Sequence, residues 1–159
     1  MLCLNPLIAA ISSGNTAIIK PSELTPASGE LLKKLIEKTF PTNEVAVFLG
    51  EKDVAQKLLD LPFNHIMFTG SPQVGKLVME AASKHLAGLT LELGGKSPVI
   101  VDKHANIEDA AWKISFYKFA NAGQTCTAPD YILCDEAVHD NLVSALQKNM
   151  NRIPPTRGV

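Results

Sequence analysis

The sequence predicts an α/β fold, a parallel sheet with flanking helices, followed by the start of a second α/β unit. Two observations predict it. Short runs of β-branched and apolar residues alternate with longer stretches whose apolar residues recur at helical spacing, and that alternation implies βαβ units. Prolines and glycines stand at the joins, at Pro21, Pro41, Gly50 and Gly94-Gly95, where regular structure has to stop. Composition agrees. A chain of 159 residues, 46% apolar and 19% charged, is an ordinary globular one, long enough to bury a sizeable core.

Each element can be justified in order. Met1 to Gly14 is apolar through Leu2, Leu4, Leu7, Ile8 and Ile11. It does not read as a signal peptide, because the first basic residue is Lys20 and Asn5-Pro6 interrupts the run. It is too short to span a bilayer. Pro6 in a first turn and Gly14 past the end fit a short helix packed on a sheet. Thr16 to Lys20 reads as a buried strand that ends at Pro21. Thr25 is the expected N-cap of the next helix, with Pro26 at its first position. Leu31, Leu32, Leu35 and Ile36 repeat at helical spacing through Phe40. Val45 to Leu49 is a second strand, Asp53 to Leu61 a short helix, and His65 to Phe68 a third strand. Thr69-Gly70-Ser71 then leads into a helix with Ser71 as cap, Pro72 in the first turn and an apolar face of Val74, Leu77, Val78, Ala81 and Ala82. Leu89 to Leu93 is a fourth strand.

The second part starts with a strand from Pro98 to Val101. Asn106 caps a helix carrying Ile107, Ala110, Ala111, Ile114 and Tyr117. Tyr131 to Cys134 is strand-like, and Asp135 caps a last amphipathic helix with Val138, Leu142, Ala145 and Leu146. Cys134 and Trp112 are expected as packing residues. Asn151 to Val159, with Pro154-Pro155, reads as a frayed or truncated end.

Several function classes are excluded or weakened. A net charge of −1 leaves no electrostatic footprint for nucleic acid. Cys3, Cys126 and Cys134 lack the spacing of a disulfide framework or a zinc site, and His65, His85, His104 and His139 are far apart, so no metal is expected. Unpaired cysteines favour a reduced, cytoplasmic compartment. Gly70 with Gly75-Lys76 has P-loop spacing, but Leu77 stands where a magnesium-binding Ser or Thr belongs. Gly95-Lys96-Ser97 fails the other way, with Thr90 in place of the first glycine. No G-x-G-x-x-G fingerprint occurs. The helix start at Ser71 still offers backbone N–H groups to an anion, and a dinucleotide pyrophosphate is the anion expected there.

Two stretches carry chemistry. Asn121-Ala122-Gly123-Gln124-Thr125-Cys126 delivers a thiol after a small, polar turn, and Glu92 ends a β-like run just before Gly94-Gly95. A thiol and a carboxylate are the minimum parts for covalent catalysis with a general base. Either alone is weak evidence, since most cysteines are small buried hydrophobes and most glutamates are solvated. Lys20 and Glu23 sit just past the first strand, where ligands bind in open parallel sheets. A carboxylate there could accept the adenosine ribose hydroxyls. By pattern alone, a solvated strand-to-helix turn is the plainer account.

These stretches resemble the NAD(P)-dependent aldehyde dehydrogenase family. Leu91-Glu92-Leu93-Gly94-Gly95-Lys96-Ser97-Pro98 is similar to its glutamate motif, and Gly123-Gln124-Thr125-Cys126 to its nucleophile motif. Gly14-Asn15-Thr16, Lys20-Pro21-Ser22-Glu23-Leu24-Thr25-Pro26 and Phe68-Thr69-Gly70-Ser71 continue the match in the family's order. The run Asn121 to Tyr131 most resembles the class 3 branch, which acts on fatty and aromatic aldehydes. The resemblance implies a Rossmann-like NAD(P)-binding part in 1–95 and a partial catalytic domain in 96–159. It implies NAD or NADP as cofactor, held by Lys20, Glu23, Gly70, Ser71, Val74, Leu93 and Gly94. It implies that Cys126 attacks an aldehyde, that the resulting thiohemiacetal is oxidised to a thioester, and that Glu92 activates the water that releases a carboxylic acid. The family's chain is longer and Met1 falls inside its pattern, so an internal fragment is expected, from a full-length protein that is a homo-oligomer. The alternative is a non-catalytic module that keeps only nucleotide binding.

Overall fold

The computed structural model describes residues 2–151, so the expected chain end at 152–159 lies outside the described residues. The chain packs as two units, one ending at Glu92 and one beginning at Leu93.

The first unit runs α1 (Leu4–Ser12), β1 (Ala17–Ile19), α2 (Pro26–Thr39), β2 (Val45–Val47), α3 (Lys52–Leu59), β3 (His65–Gly70), α4 (Pro72–Lys84) and β4 (Gly88–Leu93). Strands β1 and β2 pair in parallel with Ile18 opposite Ala46. Strands β3 and β4 form a separate two-stranded sheet. The expected continuous sheet is therefore divided into short ladders. Pro21 has no N–H to carry a ladder onward, and the Phe48 N–H to Ile19 carbonyl bond is the last across the pair.

Leu7 of α1 and Ile36 of α2 close over Ile19, Val45 and Val47, so both helices cover the β1–β2 pair. The alternating burial of β2, with Val45 and Val47 inward, is what a strand under helices requires. Ile36 is 5% exposed. Ile36→Ala is expected to destabilise this unit by about 2–5 kcal/mol, because a cavity opens where helix meets sheet; a denaturant midpoint unchanged from the parent would contradict that packing.

Some expected faces are displaced. Thr25 stands at the N-cap position of α2, yet its side chain accepts no cap hydrogen bond. Its hydroxyl donates instead to the Ser22 carbonyl at 3.3 Å. Leu31 and Leu35 lie outside the buried stripe, which is narrower than the sequence pattern. In α4 the buried positions are Gly75, Val78, Ala81 and Ala82, so Val74 and Leu77 are exposed. Ser71 does cap α4, accepting from the Val74 N–H at 3.3 Å.

The second unit runs β5 (Ser97–Val101), α5 (Ile107–Phe119), a 3-10 turn (Ala120–Gly123), β6 (Pro129–Cys134), a second 3-10 turn (Glu136–Val138) and α6 (His139–Met150). Strands β5 and β6 are parallel, Val101 facing Cys134. Ser97 faces Pro129 and Pro98 faces Tyr131, which leaves Asp130 as the extra residue of a bulge. Val101, Ala111, Ile114, Leu142 and Ala145 form the core, with Cys134 partly buried against it. Asn106 caps α5 by accepting the Asp109 N–H at 3.1 Å. Asp135 caps the short 3-10 turn before α6, accepting the Ala137 N–H at 2.9 Å.

Trp112 is the clearest departure from expectation. It is 54% exposed and stacks on Phe116, one turn along α5, with ring centroids 5.4 Å apart. The aromatic residues of α5 fall on the face opposite Ala111 and Ile114, so helical geometry turns them outward when the small residues seat the helix. Tyr117, expected in the core, is exposed for the same reason. Among the described residues no helix is long and apolar enough to cross a membrane.

Candidate active site

The thiol is built at the end of α5. The helix stops at Phe119, and the chain then takes three successive left-handed residues: Asn121 (φ 51°, ψ 35°), Ala122 (φ 54°, ψ 30°) and Gly123 (φ 74°). Glycine accepts this conformation freely. For other residues it costs roughly 1–2 kcal/mol each, so something must hold Asn121 and Ala122 there. The Gln124 N–H donates to the Asn121 carbonyl at 3.0 Å. The Asn121 Nδ2 donates back to the Gln124 carbonyl at 3.0 Å. After this closed turn the Thr125 carbonyl accepts the Ala128 N–H at 3.0 Å. Cys126 is a free, exposed thiol. Among the described residues its own N–H has no backbone acceptor.

A side chain at Gly123 has nowhere to go. An added Cβ would stand 2.9 Å from the Lys118 carbonyl, a backbone atom that cannot swing aside. Gly123→Ala is therefore expected to destabilise the second unit by more than about 1 kcal/mol, and an unchanged melting temperature would refute the left-handed assignment there.

Two further features belong to the same unit. The Gly95 backbone passes near that of Cys126, since a Cβ on Gly95 would lie 4.0 Å from the Cys126 carbonyl oxygen. The bulged Asp130 accepts a 3.2 Å hydrogen bond from Lys96 Nζ, joining the starts of β5 and β6. Lys96 is exposed, and such a pair contributes at most about 1 kcal/mol, so it serves register more than stability. A separate recess of about 540 Å³ opens at the other ends of β5 and β6, lined by Ile100, Asp102, Cys134 and Asp135 among others.

Glu92 is the penultimate residue of β4 and is exposed. Leu93 ends that strand half-buried, and Gly94 follows it with no atom near its vacant Cβ position. Glu92 belongs to the first unit and Cys126 to the second.

The remaining candidates lie in the first unit. Lys20 Nζ donates to Glu23 Oε2 at 2.6 Å, just past β1. That hydrogen bond lowers the Glu23 carboxyl from its ordinary value and leaves it an ionised acceptor for hydroxyl hydrogen bonds. At the start of α4, Pro72 has no N–H, the Val74 N–H goes to the Ser71 hydroxyl oxygen, and the Gly75 N–H goes to the Ser71 carbonyl. The Gln73 N–H and the Ser71 hydroxyl proton are thus the donors left for an anion, aided by the helix dipole. Gly70 lies under the Phe68 ring, whose Cε1 would be 2.9 Å from an added Cβ. An ionised carboxylate for ribose hydroxyls and a helix start for a pyrophosphate are donor and acceptor sets that fit a dinucleotide.

The structure thus joins Lys20 to Glu23, Ser71 to Val74, and Gly95 to Cys126. Sequence reasoning passed over the Asn121–Gln124 pair and Asp130. Asn121 did carry a signal, because Asn is among the few non-glycine residues that tolerate the left-handed region.

Comparison with known proteins adds four findings. A family model described as the aldehyde dehydrogenase family matches residues 1–158. The 4,4'-diaponeurosporen-aldehyde dehydrogenase of Staphylococcus aureus is 56% identical over 149 residues, 94% of this chain and 32% of that protein. The dimeric NADP-preferring aldehyde dehydrogenase of Rattus norvegicus is 46% identical over 149 residues, 94% of this chain and 33% of that protein. Among solved structures, the substrate-bound state of Staphylococcus aureus AldH superposes with a TM-score of 0.86 at 55% identity, covering 92% of this chain and 32% of that one. The chain spans about a third of the length of the curated relatives it matches.

Proposed function

Because the chain belongs to the aldehyde dehydrogenase family, we propose that it carries the thiol and cofactor-binding part of an NAD(P)-dependent enzyme that oxidises an aldehyde to a carboxylic acid. The observation that supports this best is the exposed Cys126, set after a closed left-handed turn with its N–H uncommitted. Cys126 as thiolate adds to the aldehyde carbon and forms a thiohemiacetal. The Cys126 N–H is a donor for the oxyanion that develops. When bound, the dinucleotide supplies the oxidant that leaves a thioester on sulfur. Glu92 takes a proton from water, which attacks the thioester and frees both acid and thiol. Lys20 and Glu23 hold the adenosine ribose, while Gly70, Ser71, Val74, Leu93 and Gly94 form the rest of the dinucleotide surface. Cytoplasmic location and homo-oligomerisation of the full-length protein belong to the same proposal.

The direct test is a chimera in which this chain replaces the matching stretch of the Staphylococcus aureus relative. Aldehyde-dependent NADH or NADPH formation is expected, and Cys126→Ser should abolish it. A chimera that folds yet forms no reduced cofactor with fatty or aromatic aldehydes would refute the proposal.

Cofactor binding can be measured on the 159-residue chain itself. AMP and NAD are expected to bind about equally, weakly, through the adenosine and pyrophosphate contacts. Glu23→Ala should weaken both roughly tenfold or more, since a charged hydrogen bond is lost. The depressed carboxyl fixes the pH dependence. Binding should weaken as pH falls and Glu23 is protonated, at a somewhat lower pH than an unpaired glutamate would give. Calorimetry that found NAD far tighter than AMP, or affinity that did not weaken at all on acidification, would contradict these roles.

A further inference from the structure

We infer that Asn121 is a positioning residue, whose side-chain amide locks the turn that presents Cys126 and its backbone N–H to the aldehyde. The inference rests on the proposed dehydrogenase chemistry and adds to it a residue that never touches substrate.

The geometry is a reciprocal pair. Asn121 accepts from the Gln124 N–H and donates through Nδ2 to the Gln124 carbonyl, each at 3.0 Å. A backbone carbonyl can only accept, so the atom facing it must be the amide nitrogen. Both backbone groups of Gln124 are thereby engaged by one residue. The bridge between the two partners is Ala122 and Gly123, both left-handed. Ala122 has no side chain able to stabilise that conformation, so the Asn121–Gln124 pair has to hold it from outside. With Gln124 fixed at both ends, the next amides are those of Thr125 and Cys126, and neither has a backbone acceptor among the described residues. A donor for a developing oxyanion must be free and must be placed before charge appears. The Asn121 lock serves the placement, because it gives the Gln124 carbonyl a donor other than the Cys126 N–H two residues on.

Two substitutions separate this role from plain tolerance of the left-handed backbone. Asn121→Gly accepts that backbone more easily than asparagine but has no amide. Asn121→Asp keeps the shape and sets an acceptor against an acceptor. If asparagine is present only for its backbone preference, glycine rescues completely. If the amide positions the turn, neither variant does.

The lock is read first in the 159-residue chain, by exchange of the Gln124 N–H. Protection is expected in the parent, with exchange about tenfold faster in both variants, the scale of one hydrogen bond lost. In the chimera, both variants should slow single-turnover formation of reduced cofactor about tenfold while KM stays within about twofold, because the oxyanion donor they displace acts only in the transition state. Unprotected Gln124 in the parent, or a parent-like single-turnover rate in Asn121→Gly, overturns the inference. A parent chimera that forms no reduced cofactor at all indicts the dehydrogenase reading instead, and leaves the exchange result to decide whether the lock exists.

Discussion

Glu92→Gln in the chimera is expected to release about one reduced cofactor per active site and then stop, with the acyl group held on Cys126 as a thioester. The two halves of the proposed reaction need different residues. Formation of the thioester needs the thiol, an oxyanion donor and the bound oxidant. Its hydrolysis also needs a base for water. Glutamine preserves the shape of Glu92 and removes only the base, so the first half should proceed and the second should fail. Mass spectrometry of the arrested protein should find the acyl group on the peptide containing Cys126. Glu92 is exposed near the end of its strand, and the competing account is a solvated strand-end carboxylate. In that case Glu92→Gln would leave steady turnover within a few fold of the parent, and its assignment as the base would have to be abandoned.

The 159-residue chain on its own is expected to turn over at least about a hundredfold more slowly than the chimera, as if it lacked even one transition-state contact supplied by the rest of the relatives' length. The chain spans about a third of its curated relatives, and every contact those relatives make through their other two thirds is outside it. The Cys126 N–H, the oxyanion donor proposed above, lies within the chain. The adenosine contacts proposed at Lys20, Glu23 and Ser71 lie within it too, so affinity for AMP should survive where turnover does not. Turnover of benzaldehyde or hexanal within tenfold of the chimera would overturn this expectation.

The alternation of elements was legible because it rests on local periodicity. Buried Val45 and Val47, the caps at Ser71 and Asn106, and the core pair Leu142 and Ala145 all follow from spacing or cap chemistry. What spacing could not give was which side of a helix meets the sheet when several faces are apolar. Leu77 in α4 and Trp112 and Tyr117 in α5 were assigned inward, and smaller neighbours took those places. In the candidate site, residue types pointed to Cys126 at the end of a turn. The turn's construction was hidden, since consecutive left-handed dihedrals depend on the Asn121–Gln124 pair as well as on composition. The Asp130 bulge was hidden for another reason. Strand register is fixed between β5 and β6, far apart in sequence.

The outward-facing Trp112 has an optical consequence. It is the single tryptophan, and the two tyrosines, Tyr117 and Tyr131, also follow Leu93. Near-ultraviolet absorption and intrinsic emission therefore originate almost wholly in the second unit, while far-ultraviolet dichroism samples the helices of both. Melting followed by the two signals gives coincident curves only if the units unfold together. Separate midpoints would reveal each unit's stability without a label, and emission would remain steady while the first unit came apart.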